Sequence, residues 1–122
     1  MDPDEDAATT ALQALVAELE VCIDLLQHAH DRAEHLLQER RNGRPWLDIV
    51  SAESRPLVVE SISTVMASLA SAGHLWRREQ ARALSAEDVS INRIAALFGV
   101  TRQRISALLR DTGSADDDGT QA

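Results

Sequence analysis

Four side chains that can bind metal ions lie within one stretch of the sequence. Cys22 is the only cysteine, and His28, His30 and His35 follow it closely. Thiolate and imidazole groups are common zinc ligands, but residues 28 and 30 point about 200° apart around a helix. A lone cysteine also excludes an internal disulfide bond, which is typical of a reducing compartment. We therefore expect no metal site, ordinary histidines, and a structural role for Cys22 in an apolar core.

Residue patterns for catalysis are missing from the sequence. It contains no Gly-rich phosphate loop, no catalytic pair of carboxylates and no arrangement of a nucleophile with a base. We therefore expect a protein that is not an enzyme and that needs no cofactor.

Arginine is the remaining side chain with strong binding chemistry, and it fills all 12 Lys-or-Arg positions of the chain. Its guanidinium group suits contacts with phosphate and with guanine. The net charge is −8, but four acidic residues within 1–6 and four within 111–122 account for all of it. Residues 74–110 carry seven arginines against three acidic residues. This pattern predicts a basic C-terminal module in a chain whose net charge is negative, as in some nucleic-acid-binding proteins.

The elements that must position these arginines are predicted to be helices. Ala, Leu, Glu and Arg dominate and only three residues are aromatic, which predicts an all-α fold. Along residues 9–41, apolar residues recur every seven positions in three adjacent rows that begin at Leu12, Leu15 and Val16. So broad a stripe favours an N-terminal helical bundle or hairpin. Asn42-Gly43 ends the pattern, and a short helix from Trp46 to about Ala52 should follow, with Trp46, Ile49 and Val50 on one face.

A third helix is predicted from Pro56 to about Leu84. At about 1.5 Å per residue it is about 43 Å long, which is more than a domain of this size can cover by itself. We therefore expect residues 9–73 to form a helical dimerisation region; the alternative is that Gly73 marks a kink or a break. Residues 1–8 and 111–122 are predicted to be disordered acidic tails.

Residues 90–110 meet the requirements for two helices joined by a tight turn. Ser90 can cap the first helix, and Thr101 can cap a second helix over 102–110. Gly99 lies where the chain must reverse with a positive φ, a conformation that costs little only for glycine.

Apolar residues around this turn can hold the two helices together. Ala95 is small where the helices cross, and Ile105 and Leu108 pin the second helix to the first. Val100 should pack into the angle between the helices, and Trp76 should anchor a supporting helix. We therefore predict a three-helix module over residues 74–110.

The segment Ile-Ala-Ala-Leu-Phe-Gly-Val-Thr-Arg-Gln-Arg-Ile-Ser, residues 94–106, resembles the helix-turn-helix of bacterial regulators. It is particularly similar to the helix-turn-helix of sigma-factor region 4 and of resolvase-type recombinases. The likeness covers about residues 76–110 at most. It implies that helix 102–110 enters the major groove of DNA with its N-terminal end first.

The resemblance also implies which side chains contact DNA. Arg102 is placed to read guanine, Gln103 to read adenine, and Thr101 with the amides near it to hold a phosphate. The remaining arginines are expected to contact phosphates without reading sequence. The full set is Arg93, Thr101, Arg102, Gln103, Arg104, Ser106 and Arg110.

Two functions are consistent with this sequence. The favoured one is sequence-specific binding of double-stranded DNA by a homodimer, as a bacterial transcriptional regulator or nucleoid-associated protein in the cytoplasm, away from the membrane. In the alternative, the helix-turn-helix contacts a protein of the transcription machinery. A protein-binding version would more often carry apolar residues in place of Arg102, Gln103 and Ser106.

Overall fold

The computed structural model describes residues 6–111, and the architecture is all-α, as predicted. The helices are α1 (Ala7–Arg41), α2 (Trp46–Ala52), α3 (Val58–Ala86), α4 (Ile91–Phe98) and α5 (Arg102–Arg110). Over the described range, none of these helices has the length and apolar character needed to cross a membrane. Most of the two predicted acidic tails, residues 1–5 and 112–122, lies outside the described residues.

Side-chain caps explain where the long helices begin. The backbone N–H of Thr9 donates to Oδ1 of Asp6 at 2.6 Å, and this hydrogen bond lowers the pKa of the Asp6 carboxyl. Because Asp6 is a cap, α1 begins at Ala7 rather than at Thr9. At the start of α3, the N–H of Val58 donates to Glu53 at 2.8 Å. The helix then runs uninterrupted through Gly73, where the sequence had allowed a break.

Contacts divide the chain into two compact units. Over the described residues, one unit consists of 16–70 and the other of 6–15 with 71–111. In the unit 16–70 the buried apolar side chains are Cys22, Ala29, Ile49 and Val65. These residues come from α1, α2 and α3, so each of the three helices buries at least one apolar side chain in this unit.

Arg32 ties α1 to the connection between α2 and α3. Its guanidinium group donates to the carbonyl of Ser54 at 2.5 Å and to the carbonyl of Pro56. Only one side of the short helix α2 is covered, since Ile49 is buried while Trp46 and Val50 are 54% and 65% exposed. Of the three residues predicted to form the apolar face of α2, only Ile49 is buried.

One of the three apolar rows on α1 faces the interior of the chain. The row that begins at Leu15 has its central residues Cys22 and Ala29 buried. Leu15 and Leu36 at its ends are half-buried. The rows that begin at Leu12 and Val16 are exposed along their whole length. The chain alone thus covers only part of the broad stripe seen in the sequence.

The helix-turn-helix has a core of its own. Its fully or nearly fully buried side chains come from α3, α4 and α5: Ala81, Ile94, Ala95, Ile105 and Leu108. The small side chain of Ala95 lies within this cluster, as expected for the place where two helices cross. Around the cluster pack partly buried apolar residues: Leu84, Val89, Ile91, Phe98 and Leu109.

Two apolar residues differ from their predicted roles in this core. Val100 is 41% exposed, so Val89 and Phe98 cover the cluster instead. Trp76 is half-buried and does not belong to the cluster. The supporting helix supplies Ala81 and Leu84, which lie one to two turns further along α3.

We expect Ile105→Ala to lower the free energy of unfolding by about 2–5 kcal/mol, because it leaves a cavity at a fully buried site. Leu97→Ala on α4 is the control, because Leu97 is 58% exposed and exposed substitutions change stability by about 0.5 kcal/mol or less. Urea unfolding followed by circular dichroism measures both variants. Equal losses for the two substitutions would contradict the described core.

Candidate nucleic-acid interface

A side-chain cap at the start of each helix and one glycine between them define the helices α4 and α5 and their turn. The N–H of Arg93 donates to Oγ of Ser90, and the N–H of Arg104 donates to Oγ1 of Thr101, both at 3.1 Å. Gly99 has a φ of 69° and a ψ of 34°, which lies in the left-handed region. Ser90, Gly99 and Thr101 therefore form the caps and the turn that the sequence predicts.

Helix α5 has one apolar face and one polar face. Ile105 and Leu108 are 0% and 5% exposed and point into the core of the module. The opposite face is open to solvent and forms a shallow depression. The residues that line this depression are Arg102, Gln103, Ser106 and Arg110. The structure thus brings together the four side chains of α5 that the resemblance places toward DNA bases and the flanking phosphates.

The arginine side chains of α4 and α5 have no partners within the described part of the chain. Arg93, Arg102, Arg104 and Arg110 are exposed, and none of their guanidinium groups makes a hydrogen bond or ion pair there. A similarly unpartnered arginine among the described residues is Arg41, at the end of α1. Four guanidinium groups on α4 and α5 are therefore available to bind anionic groups of another molecule.

The other arginines of residues 74–110 serve the fold. Arg77 lies over the ring of Phe98, with 4.1 Å from Cζ to the ring centroid. Arg78 is buried and its Nε donates to Glu79 at 3.2 Å, and Arg82 also donates to Glu79 at 3.2 Å. The basic excess counted in the sequence is thus divided between structural arginines on α3 and free arginines on α4 and α5.

Asp111, which caps the end of α5, lies against α3. Its carbonyl accepts a hydrogen bond from Arg82, and its carboxylate is 3.4 Å from Nε2 of His74 and 3.8 Å from Nη1 of Arg78. The sequence placed Asp111 in a disordered tail, but this residue holds the last turn of α5 to the supporting helix. The residues that bind it are 29 to 37 positions away in the chain, so no local pattern could indicate the contact.

The histidines of α1 do not converge on one point. His28 bonds to the carbonyl of Asp24 at 2.9 Å, and His35 lies 3.3 Å from Glu39. His30 lies beside Asp31 and Glu34 in an exposed group; its hydrogen bond to Asp31 and the charge of Glu34 raise the pKa of His30.

Cys22 lies apart from these histidines. Its thiol is buried, donates to Glu18 at 3.5 Å, and has its pKa raised mainly by burial. Cys22 thus has the environment of a structural core thiol.

Comparisons of the chain with protein-family models, with curated proteins and with solved structures gave no match. What supports a function is therefore the geometry of α4 and α5 and the chemistry of their exposed side chains.

Two glycine substitutions should have opposite effects on stability. A Cβ at Gly73 or at Gly99 meets nothing within 4 Å, so only backbone conformation differs between them. Gly73→Ala, inside α3, should raise the free energy of unfolding by about 0.5–1 kcal/mol. Gly99→Ala should lower it by about 1–2 kcal/mol, because its φ is positive.

Chemical denaturation of the two variants beside the original protein measures both effects. Gly99→Asn is the control for the turn, because asparagine tolerates the left-handed conformation better than alanine and should cost less. A Gly99→Ala variant as stable as the original protein would contradict the described turn.

Proposed function

We propose that this protein is a sequence-specific double-stranded DNA-binding protein that reads the major groove with α5. The single observation that carries the proposal is the outward face of α5, with its hydrogen-bonding side chains and free arginines. A helix-turn-helix places its second helix in the major groove, which is wide enough to admit a helix. The role that follows is that of a bacterial transcriptional regulator or nucleoid-associated protein.

Base reading falls to the first turn of α5. Arg102 carries a guanidinium fork that matches O6 and N7 of guanine, and Gln103 carries an amide that matches N6 and N7 of adenine. Ser106 lies one turn after Arg102 on the same face and can bond to a base or to a phosphate. All three side chains are polar and at least partly accessible, as direct reading of base edges requires.

Phosphate binding falls to the ends of the two helices. The hydroxyl of Thr101 accepts from the N–H of Arg104, which leaves its proton free to donate to a phosphate oxygen. The first N–H groups of α5 lack partners within the helix and favour an anion beside them. Arg93, Arg104 and Arg110 can neutralise phosphates and so add affinity that does not depend on sequence.

The proposal extends to a homodimer that reads an inverted repeat. Two symmetric recognition helices match half-sites about 34 Å apart or a multiple of that distance. Support for self-association comes from the exposed apolar rows of α1, which a single chain leaves uncovered.

A second candidate function is binding to a protein of the transcription machinery. Leu97 is 58% exposed on α4 and lines a surface depression together with Val89, Ser90, Arg93 and Asp88. An exposed leucine suits a protein contact better than a phosphate contact. The alternative therefore uses α4, whereas DNA reading uses α5, and variants of the two helices distinguish them.

Arg102→Ala should weaken binding to a preferred duplex, found by selection from random sequences, by about 1–3 kcal/mol and remove discrimination at one base pair. Arg93→Ala should instead weaken binding to preferred and scrambled duplexes alike. It should also make the plot of log binding constant against log salt concentration less steep by about one unit. Titrations of folded variants at several salt concentrations measure both effects.

Arg41→Ala is the matched control, because Arg41 is exposed and unpartnered but lies at the end of α1. Its DNA affinity should equal that of the original protein. If folded Arg102→Ala binds both duplexes with unchanged affinity, α5 is not the reading helix and the protein-binding alternative becomes the better account.

Removing residues 112–122 should tighten DNA binding at low salt by about two- to tenfold, with the gain fading as salt rises. Three aspartates follow Asp111 in this segment, and we propose that they compete electrostatically with DNA for the arginines of the module. Asp111 is kept because it contacts Arg78 and Arg82. The control changes Asp116, Asp117 and Asp118 to Asn and should reproduce the gain; unchanged affinity in both variants would show that the segment has no such effect.

A further inference from the structure

Helix α1 presents an exposed apolar seam, defined here as the seven positions of its two outer rows between residues 16 and 37. The spacing alternates between three and four residues, so all seven positions lie on one side of the helix. All are exposed, and the five large apolar side chains among them are between 41% and 65% exposed. The seam consists of Val16, Leu19, Ile23, Leu26, His30, Ala33 and Leu37.

The interior of the chain does not need this seam. Cys22 and Ala29, on the adjacent row, are the α1 side chains that this part of the chain buries, and they are 2% and 5% exposed. The seam spans about 33 Å at about 1.5 Å per residue and keeps its heptad spacing throughout. Single exposed apolar residues are ordinary on protein surfaces, but a contiguous apolar stripe marks an interaction site.

The residue types along the seam indicate what covers it. In coiled-coil notation, Val16 and Ile23 occupy a positions, while Leu19 and Leu26 occupy d positions. β-branched residues at a with leucine at d favour two parallel strands. A second copy of the same helix offers this complementary pattern in register, with equivalent residues facing each other at every layer.

Charge also permits this arrangement. The e positions beside the seam include Glu20 and Glu34, and both are exposed. In a parallel pair each e position faces a g position of the other helix. The g positions here are Leu15, Cys22, Ala29 and Leu36. Cys22 and Ala29 are already buried within each chain, and none of the four carries a charge at neutral pH, so no like charges oppose each other across the seam.

We propose that α1 pairs with α1 of a second copy as a parallel, in-register two-stranded coiled coil through residues 16–37. His30 then faces His30 of the second copy at an a position, where a polar residue fixes the register at some cost in stability. The pairing goes beyond DNA binding and is tested without DNA, although it supplies the dimer that the proposed function uses.

Disulfide trapping in the full chain, with Cys22 changed to Ala, tests the orientation. Leu19→Cys places a thiol at a d position, where a parallel in-register pair brings the two thiols together under mild oxidation. In an antiparallel pair they lie far apart, because Leu19 is near one end of the seam. Val21→Cys is the control, since Val21 is 53% exposed but faces away from the seam. Trapping at Leu19 but not at Val21 is the expected result.

Sedimentation of single-site variants tests the seam itself. Ile23→Glu should weaken dimerisation by about 100-fold or more, since it buries a charge at the pair, whereas Val21→Glu should leave it unchanged. Both residues are exposed within one chain, so helix content should not change. His30→Ile should tighten the dimer by about tenfold, because it replaces the polar layer, and misfolding cannot produce that gain.

Three results would overturn the pairing. They are a monomeric original protein at tens of micromolar, equal trapping of Leu19→Cys and Val21→Cys, and an unchanged dimer affinity in His30→Ile. None of these readouts involves DNA, so a failed coiled coil and a failed DNA interface are distinguishable.

Discussion

The crossing of α4 and α5 is the constraint on which the candidate interface depends. Ile94 and Ile105 are fully buried in one cluster, and the left-handed Gly99 reverses the chain between them. Once Ile105 and Leu108 are buried, the helical repeat places Gln103 and Arg110 on the opposite face of α5, and the exposed Arg102 and the half-buried Ser106 lie beside them. The same packing that stabilises the module therefore orients the polar face of α5 toward solvent.

The arginines of this module form two groups, one paired with acidic groups on α3 and the other unpaired on α4 and α5. On α3, Arg78 and Arg82 bond to Glu79 and Asp111, so they hold the module together and contribute little net charge to its surface. On α4 and α5, the side chains of Arg93 and Arg102 have no partner among the described residues. An acidic chain can thus present a local basic surface, because the sign of the total charge does not decide the field at one face.

Local chemistry explains what could be predicted from the sequence. The caps at Ser90 and Thr101 and the turn at Gly99 depend on residues within four positions, and the structure agrees with the sequence at all three. The predictions that Val100 and Trp76 belong to the core were wrong, because the burial of these residues depends on how helices distant in sequence pack together. The bonds of Asp111 to α3 were missed for the same reason. On α1, the heptad rows were visible, but only the structure shows which row the chain buries around Cys22.

The central claim is that α5 contacts DNA, and an NMR titration of the ¹⁵N-labelled protein with a selected duplex tests it most directly. The account predicts shifts of backbone amides at the start of α5, around Arg102 and Gln103, and near Arg93, with the amides of α2 unaffected. The shifts should weaken as salt rises, because phosphate contacts release counterions. Amides of α5 that stay unchanged while the duplex binds elsewhere, or while no binding occurs, would contradict the account.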